Sequence, residues 1–402
     1  MSRIDTDILI SGGGVAGLTA AAAFGTAGFS VTCVDPQAPV TEAGAPGSDL
    51  RTTAFLQPAR SFLAEAGLWE RLAPHAAPLQ VMRIVDAGGK EPEPRVVKDF
   101  NAADISDEPF GWNLPNWLLR REMVARLQEL PNVRFLPGVA TERVLTRSSA
   151  AHVSLSDGSR CAARLLIAAD GRHSPMREAL GIPVKTLRYG QKALAFSVTH
   201  PIPHGNVSTE IHRSGGPFTL VPLPDLQGTP RSAIVWMERG PEALRLKNLP
   251  VADFEAEMLT RSCGLFGPLT LVTERSIWPM ISQIAERFHG ERTALVAEAA
   301  HAVPPIGAQG LNMSLGDLRV LLDLARAAPE RLGDADMLAR YTRSRHPEVK
   351  LRVTGIDALN RASMMGAQGL RDLRAGMLNT LYSVAPARKA LMRAGMGMAT
   401  RN

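Results

Sequence analysis

Residues Ile4 to Ser11 alternate between polar and apolar and then run apolar, the pattern of a strand that becomes fully buried along its length. Gly12-Gly13-Gly14 interrupts the run, and Leu18 to Gly28 follows with the small-residue texture of a closely packed helix. Phe29 to Val34 is apolar again and ends at Asp35, so the opening segment predicts a βαβ unit. Farther on, Leu119 to Leu130 carries helical spacing and halts at Pro131. Arg164 to Ala169 reads as another buried strand, stopped by Asp170-Gly171.

The texture changes between Tyr189 and Met280. Short β-rich runs (Ala193 to Thr199, Phe218 to Pro222, Ala233 to Met237, Leu269 to Trp278) alternate with Pro- and Gly-rich turns, predicting a largely antiparallel sheet inserted in the chain. Thr293 to Ala297 returns as a buried strand. A Pro/Gly loop leads into a helix from about Gly310 to Ala327, and the chain from Met337 onward is helical and rich in Met and Arg.

A length of 402 residues accommodates two domains, and 45% apolar with 21% charged residues excludes a mainly disordered chain. Cys33, Cys161 and Cys263 are too scattered for a disulfide framework or a CxxC metal pair. The acids near the N-terminus argue against a signal peptide, and Leu18 to Phe29 is broken by glycines and too short to span a bilayer, so the cytoplasm is the expected compartment. The net charge of +6 gathers late in the chain. Beyond Arg340, Arg343, Arg345, Lys350, Arg352, Arg361, Arg371, Arg374, Arg388, Lys389, Arg393 and Arg401 face only Glu348, Asp357 and Asp372. Such a tail suits an anionic membrane surface, nucleic acid or an acidic partner, or is simply a solvated helical face.

Gly12, Gly14 and Gly17 form GxGxxG directly after a strand and at the opening of a helix. The first glycine permits the tight turn, the second lets a pyrophosphate approach the backbone, and the third lets helix and strand pack closely. The helix N-terminus adds free N–H groups and partial positive charge. Asp35, about twenty residues on, stands where a carboxylate binds ribose hydroxyls, although an Asp before a proline also suits a plain strand-end turn. These features predict a bound dinucleotide without specifying which.

The run Leu295-Val296-Ala297-Glu298-Ala299-Ala300-His301-Ala302-Val303-Pro304-Pro305-Ile306-Gly307-Ala308-Gln309-Gly310-Leu311-Asn312 is more specific. Glu298 at a strand edge can accept hydrogen bonds from a polyol, Pro304 and Pro305 stiffen the following turn, and Gly307 and Gly310 admit a flat ligand close to the backbone. This run resembles the second FAD motif of the class A flavoprotein monooxygenases, the para-hydroxybenzoate-hydroxylase-like enzymes, whose usual form is Gly-Asp-Ala-Ala-His, Pro-Pro and Gly-Gln-Gly-Leu-Asn. Ala297 replaces its glycine and Glu298 its aspartate. Ala169-Asp170-Gly171-Arg172 resembles the family's Asp-Gly motif, which helps hold FAD and admit the nicotinamide cofactor. Asp49-Leu50-Arg51-Thr52-Thr53-Ala54 resembles the segment whose arginine lies near the flavin, and Arg120, with Arg121 beside it, falls in another arginine-bearing segment. The tail, from His346-Pro347 through Pro386-Ala387-Arg388-Lys389 to Gly397, is similar to the ubiquinone-biosynthesis hydroxylase subgroup.

The expected fold class is therefore α/β. A Rossmann-like FAD-binding domain takes residues 1–75, 100–180 and 280–340; a mostly antiparallel β-rich substrate domain takes 76–99 and 181–279; a helical C-terminal segment takes 341–402. The resemblance implies FAD as cofactor, NAD(P)H as co-substrate, and hydroxylation of an aromatic ring with O2. It points to a polyprenylated phenol as substrate, no nucleic acid, peripheral membrane contact through the basic tail, and membership of a biosynthetic complex. FAD contacts are expected from Gly12, Gly14, Gly17, Asp35, Arg51, Arg120, Asp170, Gly171, Glu298, Pro305, Gly307, Gly310, Leu311 and Asn312.

No side chain declares itself the acid or base. His301 is a candidate base or a histidine bonded into the turn, and Tyr189 is a candidate for facing substrate. Trp236, Trp278 and Phe218 are expected to pack the sheet. Met364-Met365 and Met392 to Met398 are expected as adaptable packing surface or a greasy entrance for a prenyl tail. Two other readings remain: a hydroxylase of a small soluble phenol, and a non-catalytic flavin-binding scaffold. A flavin halogenase is disfavoured because Gly111-Trp112-Asn113-Leu114-Pro115 is the nearest approach to the expected Trp-x-Trp-x-Ile.

Overall fold

The first strand, Arg3–Ser11, lies between Arg160–Ala168 and Val31–Asp35 and is parallel to both. Thr293–Leu295 and Val133–Pro137 extend the parallel array outward on the two sides. Ile8, Leu9 and Ile10 are fully buried, as an apolar run covered on both sheet faces must be. The computed structural model describes residues 3–213, 215–364 and 367–397; Met365, Met398, Arg401 and Asn402, included in the expectations above, lie outside them.

The first helix, Val15–Thr26, begins earlier than the expected Leu18, because the glycine turn feeds it directly. Ala20, Ala21, Ala22 and Ala23 are buried along it, and their small side chains bring the helix axis close to the sheet. Helix Asn116–Gln128 and helix Gln309–Ala327 pack on the first helix, burying Met123, Leu318 and Leu322 in the same core.

A second sheet runs in the order 301–302, 276–285, 184–199, 229–239, 217–226, 207–212, 81–86 and 96–101. Its pairings are antiparallel except that between Val207–His212 and Val81–Asp86. The boundary expected at 279/280 falls inside the strand Ser276–Ala285, and that expected at 99/100 falls inside Val96–Asn101. Two helices, Gly240–Asn248 and Val251–Arg261, interrupt what the sequence suggested were only strands and turns. The prolines responsible for that expectation sit where helices start: Pro241 in the first turn of one and Pro250 as the N-cap of the next.

These helices cover one face of the second sheet. Phe218 and Trp236 meet edge to face at 5.2 Å between centroids there, and Phe196 and Phe254 at 5.1 Å, so Trp236 and Phe218 pack the sheet as expected. The opposite face looks toward the parallel sheet. A short sheet of Thr52–Leu56, Gly111–Pro115 and Ala77–Leu79 lies beside the second sheet, and Asn113 on it donates to the Pro222 carbonyl at 2.9 Å.

The chain then turns into the long helix Ala335–Ser363, followed by Gln368–Ser383 and Ala385–Met396. Among the described residues no helix is long and apolar enough to cross a membrane.

Candidate active site

The three sequence motifs meet at one edge of the parallel sheet, where its strands end. The Ala169 N–H donates to Ser11 O at 2.8 Å, Gly12 N–H to Val34 O at 2.8 Å and Val296 N–H to Ala168 O at 3.0 Å, so each motif begins where its neighbour does. In open parallel sheets this carboxyl edge is where ligands bind.

The glycine turn is set by close approach. A Cβ on Gly17 would lie 1.8 Å from Gly12 O, and one on Gly12, at φ +108°, would lie 2.4 Å from Ala169 O. A Cβ on Gly14 would meet nothing within 4 Å. The first helix begins at that open position with no side-chain cap and no acid in its first turn. A bare, uncapped helix start behind an empty cradle fits a pyrophosphate, whose charge the N–H groups would stabilise.

Asp35 has a structural use that the sequence did not disclose. Its Oδ2 accepts from Gly13 N–H at 2.6 Å and its Oδ1 from Gln37 N–H at 2.8 Å, so the carboxylate pins the glycine turn as well as ending the strand. Asp170 accepts from Met176 N–H at 3.1 Å through Oδ2, while Oδ1 is buried and, among the described residues, makes no hydrogen bond of ordinary geometry. Burial pushes its carboxyl above the usual range. Gly171 takes φ +85° in the turn that follows.

Arg51 and Arg120 converge on one carboxylate. Arg51 grips Asp49 with two bonds, Nε to Oδ1 at 2.8 Å and Nη2 to Oδ2 at 2.7 Å, and Arg120 Nη2 lies 3.5 Å from Oδ2. Asn116 donates to the same oxygen at 3.1 Å. Burial would raise the Asp49 carboxyl, but Arg51, Asn116 and Arg120 together hold it below its ordinary value. Arg121 turns away to Glu122 and Trp117. The Arg51 guanidinium lies 4.3 Å from the centre of the Trp278 ring. Trp278 is 41% exposed and contacts Arg51 on the open face of the second sheet, not the packed face expected for it.

The late motif leaves its strand at Leu295 and forms a short 3-10 turn, Ala297–Ala299. Glu298 is half exposed there, and Arg172 Nε lies 3.4 Å from its Oε2, joining the middle motif to the late one. Buried Arg177 braces that junction, donating to Arg172 O and Ala299 O at 3.1 Å each. Pro305 and Gly307 are exposed at the tip of the loop, Gly310 has open space where a Cβ would stand, and Leu311 is half-buried behind it. Helix Gln309–Ala327 starts with no side-chain cap, a second bare N-terminus facing the site. Asn312 works inward: it accepts from Leu56 N–H at 2.8 Å and donates to Ala54 O at 2.7 Å and Ala308 O at 2.6 Å, fastening the short sheet to this helix.

Ala297 takes φ +54° at the position where the resembled motif has glycine. A Cβ in the left-handed region costs on the order of 1 kcal/mol. Ala297→Gly is accordingly expected to stabilise the protein by about 0.5–1 kcal/mol, read as a higher thermal midpoint. An unchanged or lower midpoint would mean that the contacts of the Ala297 methyl outweigh the strain.

His301 is buried, with Nε2 2.6 Å from Asp317 Oδ2, and Arg345 Nε donates to the other Asp317 oxygen at 2.9 Å. Its partner lies on the helix Gln309–Ala327 rather than in the turn. Tyr189 is half-buried; its hydroxyl lies 2.7 Å from Ser282 Oγ, and burial pushes its pKa up to about 12. Tyr189, Val235 and, from the late motif, Ile306 pack against a small apolar cluster of Ala193, Met237 and Met280. This brings the open face of the second sheet against the late-motif loop.

Asp49, Arg177 and Asp317 were given no role by the sequence, Arg345 only a place in the basic tail and Trp278 only one in sheet packing, although a charged Asp317 within the buried stripe Leu315 to Leu318 is a detectable anomaly.

A family model described as an FAD binding domain matches residues 5–355. The chain belongs to that family. FAD is the cofactor of this flavoprotein, and its chemistry is that of an aromatic monooxygenase. Ubiquinone hydroxylase UbiL of Rhodospirillum rubrum is 32% identical over 395 residues, 97% of this chain and 89% of that protein. The 3-demethoxyubiquinol 3-hydroxylase of Escherichia coli is 26% identical over 363 residues, 89% of this chain and 90% of that one. The crystal structure of p-nitrophenol 4-monooxygenase PnpA from Pseudomonas putida superposes on the flavoprotein with a TM-score of 0.79 over 100% of both chains. Its 18% identity makes that a likeness of fold.

Proposed function

We propose that this flavoprotein hydroxylates the ring of a polyprenylated phenol of ubiquinone biosynthesis, using NAD(P)H and O2, at a membrane surface it contacts peripherally. The observation that carries the substrate class is the 32% identity to a ubiquinone hydroxylase along 97% of the chain. The apolar lining of Tyr189, Ala193, Val235, Met237, Met280 and Ile306 supports it, because a prenylated ring needs such surroundings.

Gly12, Gly14 and Gly17 with the first helix would hold the pyrophosphate, and Asp35 the ribose beyond it. Arg51 and Arg120, oriented by Asp49, would bring positive charge to the cofactor, while Asp170 and Gly171 would border it and Glu298 would accept from its polyol chain. Pro305, Gly307, Gly310 and Leu311 would shape the wall against the flat ring, with Asn312 holding that wall in place. Bound FAD supplies the electron transfer and oxygen activation. The chain itself excludes water and positions the ring. The Tyr189 hydroxyl keeps its proton at neutral pH and therefore serves as a hydrogen-bond donor, not a base. His301, held by Asp317, is a positioning residue for the late motif.

The test is a visible spectrum of the purified protein, then NADPH or NADH oxidation with and without a short-chain 2-prenylphenol. Flavin absorbance, stimulated oxidation and a product heavier by one oxygen are expected. Flavin without stimulation would discard the prenylphenol substrate; equal turnover of a small soluble phenol would favour the alternative hydroxylase. Failure to take up FAD even on reconstitution would favour the scaffold.

A further inference from the structure

Among the described residues, the contacts that anchor helix Gln368–Ser383 lie on one face. On its inner side Tyr382 meets Phe100 edge to face at 5.5 Å and donates to Asp99 O at 3.0 Å; Asp372 pairs with Arg95 at 2.5 Å, and Ala375 is buried. On its outer side Leu373, Met377 and Leu381, spaced four residues apart, are 57%, 56% and 44% exposed. Val384 continues the stripe at 50%, and Leu391 on the last helix adds 53%. An amphipathic helix on a globular body normally turns such a stripe inward. Here the inner contacts are already made, and the stripe faces solvent.

The methionines of the last helix behave oppositely to the entrance role considered for them. Met392 and Met396 are 6% and 4% exposed and pack against Ala102 and Phe110. They lock the helix down; the leucines are what it offers outward.

The segment is predominantly basic. Residues 368–397 contain Arg371, Arg374, Arg388, Lys389 and Arg393 against the single acid Asp372, which is engaged by Arg95; Arg388 is turned inward to Tyr382 and Asp104, while Arg393 is exposed. An apolar stripe with basic residues alongside is complementary to an anionic lipid headgroup layer with hydrocarbon beneath it.

The position of the stripe matters as much as its composition. At the C-terminal end of the long helix, Leu187, Arg188, Tyr189, Arg361 and Met364 line an open pocket, and helix Gln368–Ser383 starts just beyond Met364. Tyr189 thus contributes both to this pocket and to the apolar cluster that includes Ile306 of the late motif.

We propose that the outward face of helix Gln368–Ser383, continued by Val384 and Leu391, docks on an anionic bilayer and sets the pocket at Tyr189 against the lipid as the way in for the substrate. This rests on the prenylphenol reading for its substrate, but the docking itself does not.

The test uses the full FAD-loaded chain and sedimentation with vesicles of phosphatidylcholine alone or with about one third phosphatidylglycerol. Wild type is expected to sediment with the anionic vesicles and far less with the neutral ones. Leu373→Asp/Met377→Asp/Leu381→Asp, at exposed positions that the fold tolerates, should lower the vesicle partition coefficient about tenfold or more, and Lys389→Glu/Arg393→Glu should lower it on anionic vesicles alone. Circular dichroism and flavin content unchanged in both variants tie the loss to the surface. Wild type remaining in the supernatant with every vesicle, or the triple variant binding as well as wild type, overturns the proposal. So does a triple variant whose only change is loss of self-association in ultracentrifugation, which would assign the stripe to a second copy of this chain. Vesicle binding with no stimulation by any prenylphenol would keep the docking and remove the substrate reading.

Discussion

Asp317→Ala is expected to destabilise the protein by about 3–5 kcal/mol, the largest effect of any single side chain discussed above. The carboxylate is fully buried and is shared by His301 at 2.6 Å and Arg345 at 2.9 Å. Removing it leaves the Arg345 guanidinium, itself almost fully buried, with only Glu348 at the rim and the Met313 carbonyl to satisfy it. Breaking such a pair is far more damaging than never having built it, because one desolvated charge remains. Urea unfolding of the FAD-free chain measures this directly, and a loss below about 1 kcal/mol would reduce the network to the importance of a surface ion pair.

The same carboxylate predicts an acid dependence. Burial pushes Asp317 up, but His301 and Arg345 more than offset it and hold its pKa below the ordinary value. A depressed folded pKa contributes stability that is fully present above the unfolded value of about 3.9 and is lost as pH falls through the lower folded value. Asp317→Asn should therefore be less stable at neutral pH and should lose less on acidification below about pH 4. Parallel acid limbs for the two proteins would show that Asp317 does not carry the linkage.

The second large effect separates binding from folding. Gly14→Val places a side chain in space that is empty in the protein, at φ −69°, a conformation any residue adopts. Thermal stability of the FAD-free chain should stay within about 0.5 kcal/mol of wild type, while FAD affinity, followed by flavin fluorescence, falls about a hundredfold or more, roughly 2.7 kcal/mol. Gly17→Val supplies the contrast, because its Cβ would collide with Gly12 O and the fold itself must give way. Undiminished FAD affinity in Gly14→Val would move the pyrophosphate away from this turn.

Where a constraint is local, the sequence disclosed it. Gly12 and Gly17 must be glycine because a backbone atom stands where a Cβ would be, and that requirement shows as a spacing after an apolar strand. The Pro304-Pro305 turn and the helix behind it were legible for the same reason. Asp317 and Arg345 were not, since they lie 28 residues apart on different helices and meet only once those helices pack. Nor was the pairing of Arg51 with Trp278, which belongs to the assembled sheet. Periodicity showed that the chain ends in helices, but a leucine stripe has the same signature whether it faces core or solvent. Only the packed structure distinguishes Leu373 from Met392.

Gln309, at the head of the late-motif helix, donates to Gly307 O at 2.9 Å and to Gly395 O in the last helix at 2.8 Å. The glycine turn of residues 12–17 precedes in the chain its neighbouring strand end, its facing loop and the helix that steadies that loop, the last of them near residue 395. The residues of the dinucleotide turn are therefore made before those of its opposite wall. Cofactor capture is in this sense a late quality check: a chain that holds flavin tightly is one in which residues far apart in sequence, from Gly12 to Gly395, have already been brought into one fold.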